Sequence, residues 1–444
     1  MFKDFSDFKN KLMGKRVGIL GLGVSNLPLL KLLLANGITD ITIRDKNPDP
    51  ALKEEAPDAH WITGEDYLKD ITEDYIFRSP GIMPTLPELQ QAVANGVQMT
   101  SEMEAFFDLC PAKIIGITGS DGKTTTTTLI YEILKKAGYT CHLGGNIGHP
   151  LLSDLENIKD DHIVIVELSS FQLMTMKKSA DIAVITNLAP NHLDKHTDMA
   201  EYCNAKKNIF QFGATQTVFN LENDITKEFI REDSLSFSLK QPVDKGAYLQ
   251  DDILYFNGTE VMKRSDIVLP GIHNVDNYLA AICAVSTLCD LSYVKEVATT
   301  FGGVEHRIEF VRELDGVRYY NDSIASSPSR AIAGLRSFRQ KIIVIAGGSD
   351  KNIPFDTYAK EVCQRVKYLI VMGHTKEKIK SAVLQEQPDF PIFEACDLAD
   401  AVRLAREQAT AGDVVMLSPA CASFDYFKNF MERGNLFKEY VNRL

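Results

Sequence analysis

The stretch from Lys113 to Thr126 constrains the fold more tightly than any other part of the sequence. Its first half, KIIGIT, is apolar and β-branched, as a buried parallel strand should be. Glycines at positions 119 and 122 follow, and residues 127–137 then suit a helix. A strand, a glycine turn and a helix N-terminus in this order predict a phosphate-binding loop. Ile117 stands where the common G-x-x-x-x-G-K-[ST] pattern has its first glycine, so the loop is the variant T-G-x-x-G-K-T-T.

The chemistry of this loop suits a nucleotide. Gly119 and Gly122 let backbone N–H groups point towards an anion, and Lys123 can reach β- and γ-phosphates. The Thr124 hydroxyl can hold Mg²⁺. The alternative is a glycine-rich helix start that binds nothing, but the position between a strand and a helix favours the nucleotide site.

Length and composition narrow the class of protein. A chain of 444 residues is expected to form about three domains at roughly 150 residues each. The net charge of −12, from 48 Lys and Arg against 60 Asp and Glu, gives no general attraction to nucleic acid or anionic membranes. The eight cysteines are scattered without a C-x-x-C pair, and neither a signal peptide nor an apolar run of about 20 residues is visible. We therefore expect a reduced, cytoplasmic protein that binds neither nucleic acid nor membrane.

The N-terminal part opens with a Rossmann-like βαβ pattern. A strand over 16–20 leads through GLGVSN to a helix over 27–36, and a second strand ends at Asp45. Asn26 replaces the third glycine of the dinucleotide fingerprint, so a nucleotide diphosphate other than NAD fits as well. A later turn, Ser79-Pro80-Gly81, either approaches the same ligand or only ends a strand.

A second domain is expected to begin after Thr100, where a new alternation of strands and helices predicts a mostly parallel sheet. Glu167 directly follows one predicted strand, and His192 lies just beyond another. Because ligands collect at the carboxyl ends of parallel strands, both side chains could face the phosphate loop and bind a metal. The alternatives are a carboxylate at a loop edge and a capping histidine. Further along, Asn274 is expected to cap a helix that runs to about residue 288.

A third α/β domain is expected from about Val304. Three polar loops follow predicted strands in it: YYNDS at 319–323, GGSDK at 347–351 and SPACASF at 418–424. Their placement at strand ends favours a ligand site over chance polarity.

Taken together, these motifs resemble the Mur ligase family, which also includes folylpolyglutamate synthases. The matching segments run along the whole chain: G-x-G, S-P-G, T-G-x-x-G-K-T-T, G-G-N-I-G, E-L-S-S-F-Q-L, N-H-L-D, Y-x-x-A-K-x-x-I, P-G-x-H-N, H-R, N-D-S and S-P-A-C-A-S-F-D. The resemblance implies three α/β domains: a Rossmann-like UDP-substrate domain (1–100), a P-loop ATPase-like domain with a mostly parallel sheet (101–303) and a Rossmann-like amino-acid domain (304–444).

The resemblance also implies an activity. Family members use ATP to join an amino acid to a carboxylate through an acyl phosphate, and the S-P-A-C-A-S-F-D segment is most specific to the addition of D-glutamate to UDP-N-acetylmuramoyl-L-alanine. ATP and two Mg²⁺ ions are implied, with a monomeric chain. The alternatives are a ligase of the same family that adds a different amino acid and a P-loop NTPase that acts on a partner.

The resemblance assigns roles residue by residue. Catalysis would use Lys123, Glu167, His192 and Lys206. ATP would be bound by Thr118, Gly119, Ser120, Asp121, Gly122, Lys123, Thr124, Thr125, Asn277, Arg307 and Asp322. The UDP substrate would be bound by Gly23, Val24, Ser25, Asp45, Gly81 and Asn146. The amino acid would be bound by Ser326, Lys351, Ser423, Phe424 and Phe430. Metal ions would be held by Thr124, Glu167, His192 and a carbamylated Lys206.

Three positions depart from the family pattern. Asn191 stands where an aspartate usually precedes the motif histidine, and Ile324 and Ser326 replace the common lysine and threonine after N-D-S. These departures leave the resemblance to the family intact, but side chains at the nucleotide and amino-acid sites are expected to differ from those of typical members.

Overall fold

Three α/β sheets form the framework of the computed structural model, which describes residues 5–57, 59–193, 195–350 and 353–444. The predicted fold class is thereby confirmed. The chain divides into two compact units, one of Met1–Asp266 with Val275–Val297 and one of Ile267–Asn274 with Ala298–Leu444. The domain boundaries expected at residues 100 and 303 stay predictions. Within the described ranges, every helix is too short or too polar to cross a bilayer.

The first sheet is five-stranded and entirely parallel, in the order β3-β2-β1-β4-β5. Its elements are α1 (Phe5–Leu12), β1 (Val17–Leu20), α2 (Asn26–Ala35), β2 (Ile41–Asp45), α3 (Pro50–Glu54), β3 (His60–Thr63), β4 (Tyr75–Arg78), α4 (Pro87–Ala94) and β5 (Gln98–Thr100). The order reverses between β1 and β4, and such a switch point leaves a crevice at the carboxyl ends of the two strands.

The second sheet has nine strands in the order β14-β13-β12-β11-β10-β9-β6-β8-β7. Its elements are α5 (Glu102–Leu109), β6 (Lys113–Thr118), α6 (Lys123–Lys136), β7 (Cys141–Gly145), β8 (Ile163–Glu167), α7 (Ser170–Leu173), β9 (Ile182–Ile185), α8 (Met199–Lys207), β10 (Gln216–Asn220), β11 (Leu235–Ser238), β12 (Gly246–Gln250), β13 (Ile253–Phe256), β14 (Thr259–Lys263), α9 (Ile272–Val285) and α10 (Ser292–Ala298). Only the pairs β12–β13 and β13–β14 are antiparallel. The predicted mostly parallel sheet is therefore confirmed, with β6, which carries the phosphate loop, between β9 and β8.

The third sheet has six strands in the order β15-β16-β20-β17-β18-β19. Its elements are β15 (Glu309–Leu314), β16 (Val317–Asn321), α11 (Pro328–Arg336), β17 (Ile342–Gly347), α12 (Asp356–Arg365), β18 (Val366–Met372), α13 (Lys376–Glu386), β19 (Ile392–Glu394), α14 (Leu398–Gln408), β20 (Val414–Leu417) and α15 (Phe430–Arg443). All neighbours are parallel except β15 and β16. The strands that precede the three predicted polar loops, β16, β20 and β17, are adjacent.

One local expectation is wrong. Asn274 does not cap α9, because the helix begins two residues earlier at Ile272. Its side-chain amide instead donates to the carbonyl oxygen of Pro270 at 2.7 Å, inside the first turn. The helix therefore begins directly after the Pro270-Gly271 turn, two residues before the position that the preference of asparagine for N-caps indicates.

A buried ion pair fixes the loop before β4. Arg44 and Glu73 are both almost fully buried, and Nε of Arg44 lies 2.6 Å from Oε1 of Glu73. The guanidinium also donates to the carbonyl oxygens of Lys69 and Asp70 at 2.7 and 3.0 Å. Removal of one partner from such a pair leaves an uncompensated buried charge.

We predict that Glu73→Ala destabilises the N-terminal sheet by about 3–5 kcal/mol, because Arg44 loses its counter-charge. Urea unfolding followed by the fluorescence of Trp61, the single tryptophan of the chain and a residue of β3, measures this change. Glu65→Ala is the matched control, because it breaks an exposed pair with Lys46 and should cost about 0–1 kcal/mol. Equal costs for the two variants would contradict the prediction.

Candidate functional site

The phosphate loop has the backbone that its glycines predict. Gly119 and Gly122 have φ angles of 152° and 77°, and α6 begins directly afterwards at Lys123. A Cβ atom on Gly119 would lie 2.0 Å from Oγ1 of Thr186, and one on Gly122 would lie 2.4 Å from Oδ1 of Asn277. Both positions therefore require glycine.

Neighbouring segments hold the loop rigidly. The backbone N–H of Ser120 donates to the carbonyl oxygen of Asn187 at 2.9 Å, and that of Asp121 donates to Oδ1 of Asn187 at 3.0 Å. Oγ of Ser120 lies 2.9 Å from the carbonyl oxygen of Ala189 and 2.9 Å from the hydroxyl of Tyr202. Because these two N–H groups already have partners, we expect an anion to contact the first turn of α6 instead, where the N–H groups have no acceptors within the helix.

Lys206 on α8 packs against this loop. It is 1% exposed, and its Nζ donates to Oγ1 of Thr118 at 3.0 Å and to the carbonyl oxygen of Gly119 at 2.9 Å. Burial lowers the pKa of Lys206 well below its usual value, and the charge of Lys123 lowers it further, while Glu167 opposes the shift. The neutral amine is therefore more populated at a given pH than in an exposed lysine.

Glu167 ends β8, beside the strand that carries the loop, and pairs in register with Ile117. The side chain is buried, and its Oε1 accepts a hydrogen bond from Nδ2 of Asn146 at 2.7 Å. Its Oε2 is also buried but has no hydrogen-bond partner among the described residues. A buried carboxylate oxygen without a donor is costly, so the arrangement favours a cation at this oxygen.

The two histidines beyond β9 lie against one aromatic ring. His192 is exposed, has a φ of 55°, and packs edge-on against Phe171 with ring centroids 5.1 Å apart. His196 is buried, and its ring stacks on the ring of Phe171 with centroids 5.2 Å apart. Its Nε2 lies 2.9 Å from Oγ of Ser170. Sequence reasoning named His192 but missed His196 and Phe171. Across the described ranges no three His, Cys, Asp or Glu side chains form a metal-binding group.

The expected UDP-substrate residues of the N-terminal sheet lie at its switch point. Oδ2 of Asp45 accepts a hydrogen bond from the N–H of Leu22 at 2.9 Å, which fixes the turn that contains residues 23–25. The N–H of Ser79 donates to the carbonyl oxygen of Leu20 at 2.8 Å. The Ser-Pro-Gly turn, with the exposed Gly81, therefore follows β4 next to the glycine turn that follows β1.

In the second unit, the three predicted polar loops meet. Asp322 follows β16 and is buried, and its Oδ2 accepts a hydrogen bond from Oγ of Ser418, which follows β20, at 2.9 Å. The N–H of Ser349, beyond β17, donates to the carbonyl oxygen of Ala422 at 2.9 Å. Burial raises the pKa of Asp322 to about 7, although its hydrogen bonds and the charge of Arg307 oppose the shift.

A buried arginine that the sequence did not reveal joins two of these loops. Arg433 on α15 donates from Nε to Oγ of Ser323 at 3.0 Å and from Nη2 to the carbonyl oxygens of Ser323 and Cys421 at 2.9 and 3.2 Å. Its Nη1 donates to the carbonyl oxygen of Ala422 at 3.1 Å. Burial lowers the pKa of Arg433 to about 10, so it stays cationic at neutral pH.

The expected amino-acid residues differ in their surroundings. Ser423 is buried and Ser326 is half-buried, whereas Phe424 is 73% exposed. Phe430 begins α15 and packs edge-on against His306 at 5.8 Å. Lys351 lies outside the described residues.

Three family descriptions match successive parts of the chain. Residues 15–101 match the Mur ligase MurD-like N-terminal domain, residues 117–285 the Mur ligase middle domain, and residues 306–421 the Mur ligase glutamate ligase domain.

Solved structures of low sequence identity share the fold. The UDP-N-acetylmuramate-alanine ligase MurC of Thermotoga maritima is 18% identical with a TM-score of 0.58, and the match covers 97% of this chain and 99% of that chain. A pseudomurein peptide ligase type C from Methanothermus fervidus is 17% identical with a TM-score of 0.56, covering 97% and 100%. At these identities the likeness concerns the fold alone.

Curated proteins match more strongly. The UDP-N-acetylmuramoylalanine--D-glutamate ligase of Acetivibrio thermocellus is 51% identical, over 99% of this chain and 98% of that protein. A protein of the same name from Clostridium kluyveri is 50% identical, over 100% of both chains. The protein therefore belongs to the Mur ligase family, whose members are ATP-dependent amide ligases.

Proposed function

We propose that this protein joins D-glutamate to UDP-N-acetylmuramoyl-L-alanine, with ATP converted to ADP and phosphate, as a step of peptidoglycan precursor synthesis. The observation that carries the proposal is the identity of 51% and 50% to two ligases of that name, over at least 98% of each protein. A rigid phosphate loop beside a buried lysine and a buried carboxylate supports it.

The proposed reaction has two steps. A carboxylate oxygen of the UDP substrate attacks the γ-phosphorus of ATP, and ADP leaves, which produces an acyl phosphate. The amine of D-glutamate then attacks the acyl carbon, loses a proton and expels inorganic phosphate, which leaves an amide. The protein contributes mainly positioning and neutralisation of charge.

Residues of the central sheet are proposed to hold the triphosphate. The first turn of α6 presents N–H groups to it, and Lys123 at the start of that helix neutralises charge on the transferred phosphoryl group. Mg²⁺, when bound, neutralises further phosphate charge as a Lewis acid. Thr124, Glu167, His192 and Lys206 are the residues proposed to hold it, and the unpartnered Oε2 of Glu167 fits a cation.

The remaining assignments extend the proposal to the other substrates. Asn277 reaches the phosphate loop, since its Oδ1 accepts a hydrogen bond from Oγ1 of Thr126 at 3.2 Å. It is proposed to contact the nucleotide together with Arg307 and Asp322. The UDP moiety and muramoyl group are assigned to Gly23, Val24, Ser25, Asp45, Gly81 and Asn146. D-glutamate is assigned to Ser326, Lys351, Ser423, Phe424 and Phe430.

We also propose a cytoplasmic monomer. All eight cysteines are free, which is typical of a reducing compartment.

The first prediction from the proposed function concerns substrates. ADP release should require both UDP-N-acetylmuramoyl-L-alanine and D-glutamate, because the amine completes the reaction only after the acyl phosphate forms. A coupled ADP assay with D-glutamate, L-lysine and diaminopimelate measures the preference. Equal rates with L-lysine or diaminopimelate would assign the protein to a different ligase of the family.

The second prediction separates the two nucleotide sites. Lys123→Ala should lower kcat by about a hundredfold or more, because it removes a charge from the transferred phosphoryl group. Calorimetry should show unchanged affinity for the UDP substrate, which is assigned mainly to the N-terminal sheet. Lys135→Ala, an exposed position on the same helix, is the control and should retain activity. Loss of UDP-substrate affinity as large as the loss of activity would contradict separate sites.

We propose further that Lys206 works as a carbamate. Its buried amine, with a lowered pKa, suits attack of Nζ on the carbon of CO₂ with release of a proton, which gives an anionic –NH–COO⁻ group. An anion is favoured next to bound Mg²⁺, where an ammonium would be repelled. The neighbouring Lys207 is different, since it is only half-buried and lies 4.8 Å over the ring of Phe229.

The third prediction follows from this difference. Lys206→Ala should be nearly inactive, and short carboxylic acids added to the buffer should restore part of its activity by supplying the missing carboxylate. Lys207→Ala should remain active and should not respond to the acids. High activity of Lys206→Ala in CO₂-depleted buffer would contradict the carbamate.

A further inference from the structure

Arg78, the last residue of β4, is a buried cation without a carboxylate partner among the described residues. It is 0% exposed, and burial lowers its pKa to about 10, so it remains charged at neutral pH. Its Nη1 donates to the carbonyl oxygens of Ser79 and Ile82 at 3.1 and 2.6 Å. Its Nη2 donates to the carbonyl oxygen of Phe171 at 2.7 Å. The two ends of one guanidinium therefore bind two segments that are far apart in sequence.

The comparison with Arg44 shows how unusual this arrangement is. Arg44 lies in β2 of the same sheet, which β1 separates from β4, and is also buried, but it pairs with Glu73 at 2.6 Å. Among the described residues, the partners of Arg78 are backbone carbonyls and Oγ1 of Thr175 at 3.4 Å, and its Nε has no hydrogen-bond partner. A buried charge without a counter-ion costs stability. We therefore look for a role of Arg78 other than stabilisation of the fold.

The first segment that Arg78 binds is the turn from Ser79 to Ile82, which contains Gly81. The second is α7, whose start is fixed by a capping box between Ser169 and Gln172. The ring of Phe171 on this helix packs against His192 at 5.1 Å. Arg78 therefore ties the turn that is expected to face the UDP substrate to the residue that supports the exposed histidine.

We propose that Arg78 is a positioning residue that fixes the Ser79–Ile82 turn relative to Phe171, and through Phe171 relative to His192. The identity of the substrate in this proposal rests on the proposed function. The planar fork of arginine can span both segments, whereas the compact ammonium of lysine cannot reach the same set of carbonyls. Misplacement of the turn should therefore weaken use of the UDP substrate without affecting the binding of ATP at the phosphate loop.

The test uses Arg78→Lys, with Arg78→Met as a second variant that retains an unbranched side chain. We expect KM for UDP-N-acetylmuramoyl-L-alanine to rise about tenfold or more and kcat to fall, while KM for ATP changes less than about twofold. Thr175→Val, which removes only the long side-chain contact, should behave like the wild type. An equal rise in both KM values, or wild-type kinetics for Arg78→Met, would overturn the proposal.

A double-mutant cycle tests whether Arg78 acts through the ring. Phe171→Leu keeps the backbone carbonyl but removes the ring contact with His192, so the double variant with Arg78→Lys should lose less activity than the product of the single losses. Tyr139→Phe, which removes a hydrogen bond to Leu288 elsewhere in this unit, should combine multiplicatively with Arg78→Lys. Multiplicative losses for Arg78 and Phe171 would overturn the proposal.

Hydrogen exchange separates this inference from the proposed function, because it needs no substrate. In both Arg78 variants, the segments 79–86 and 170–176 should exchange faster than in the wild type, while segment 123–136 should not change. Unchanged exchange in both segments, or loss of cooperative folding in both variants, would overturn the positioning role. If these segments respond but the wild-type protein makes no ADP with the proposed substrates, the proposed function fails and the positioning role stands.

Discussion

The packing of the Lys206 amine against the phosphate loop is the interaction on which the central site depends. By donating to Thr118 and Gly119, Lys206 ties α8 to the end of β6 and holds the first glycine of the loop in place. Lys123 is near enough for its charge to lower the pKa of Lys206, so basic groups are concentrated at one end of the sheet. The buried carboxylate of Glu167 lies nearby, and its Oε2, which has no hydrogen-bond partner among the described residues, suits a cation. Such a site is suited to a phosphate anion together with a metal ion.

Both units place polar loops at the carboxyl ends of adjacent parallel strands, which is where α/β sheets bind ligands. In each unit a buried arginine organises such loops by donating to backbone carbonyls instead of a carboxylate. Arg78 does so at the N-terminal sheet, and Arg433 does so around Ser323 and Cys421 in the second unit. A guanidinium used in this way fixes the shape of a loop while its charge still favours anionic ligands nearby.

The sequence predicted the features that depend on local order along the chain. The phosphate loop was recognisable because strand, glycines and helix follow one another within fourteen residues, and the three polar loops because each follows an apolar run. Contacts between distant segments were not predictable. The pair Ser120 and Tyr202 is separated by 82 positions, and Arg78 and Phe171 by 93, and nothing in the local pattern of either residue indicates its partner. Arg78 and Arg433 were also missed, because arginine is usually exposed and nothing in the sequence nearby shows that these two are buried.

Transfer of oxygen from the substrate to phosphate tests the central claim most directly, namely that the loop activates a carboxylate as an acyl phosphate. UDP-N-acetylmuramoyl-L-alanine would be labelled with ¹⁸O in its carboxylate and converted with ATP and D-glutamate. The carboxylate oxygen that attacks the γ-phosphorus stays with phosphorus when the amine displaces phosphate. The account therefore predicts that mass spectrometry finds ¹⁸O in the released inorganic phosphate. Unlabelled phosphate, formed at the same rate as the amide product, would contradict it.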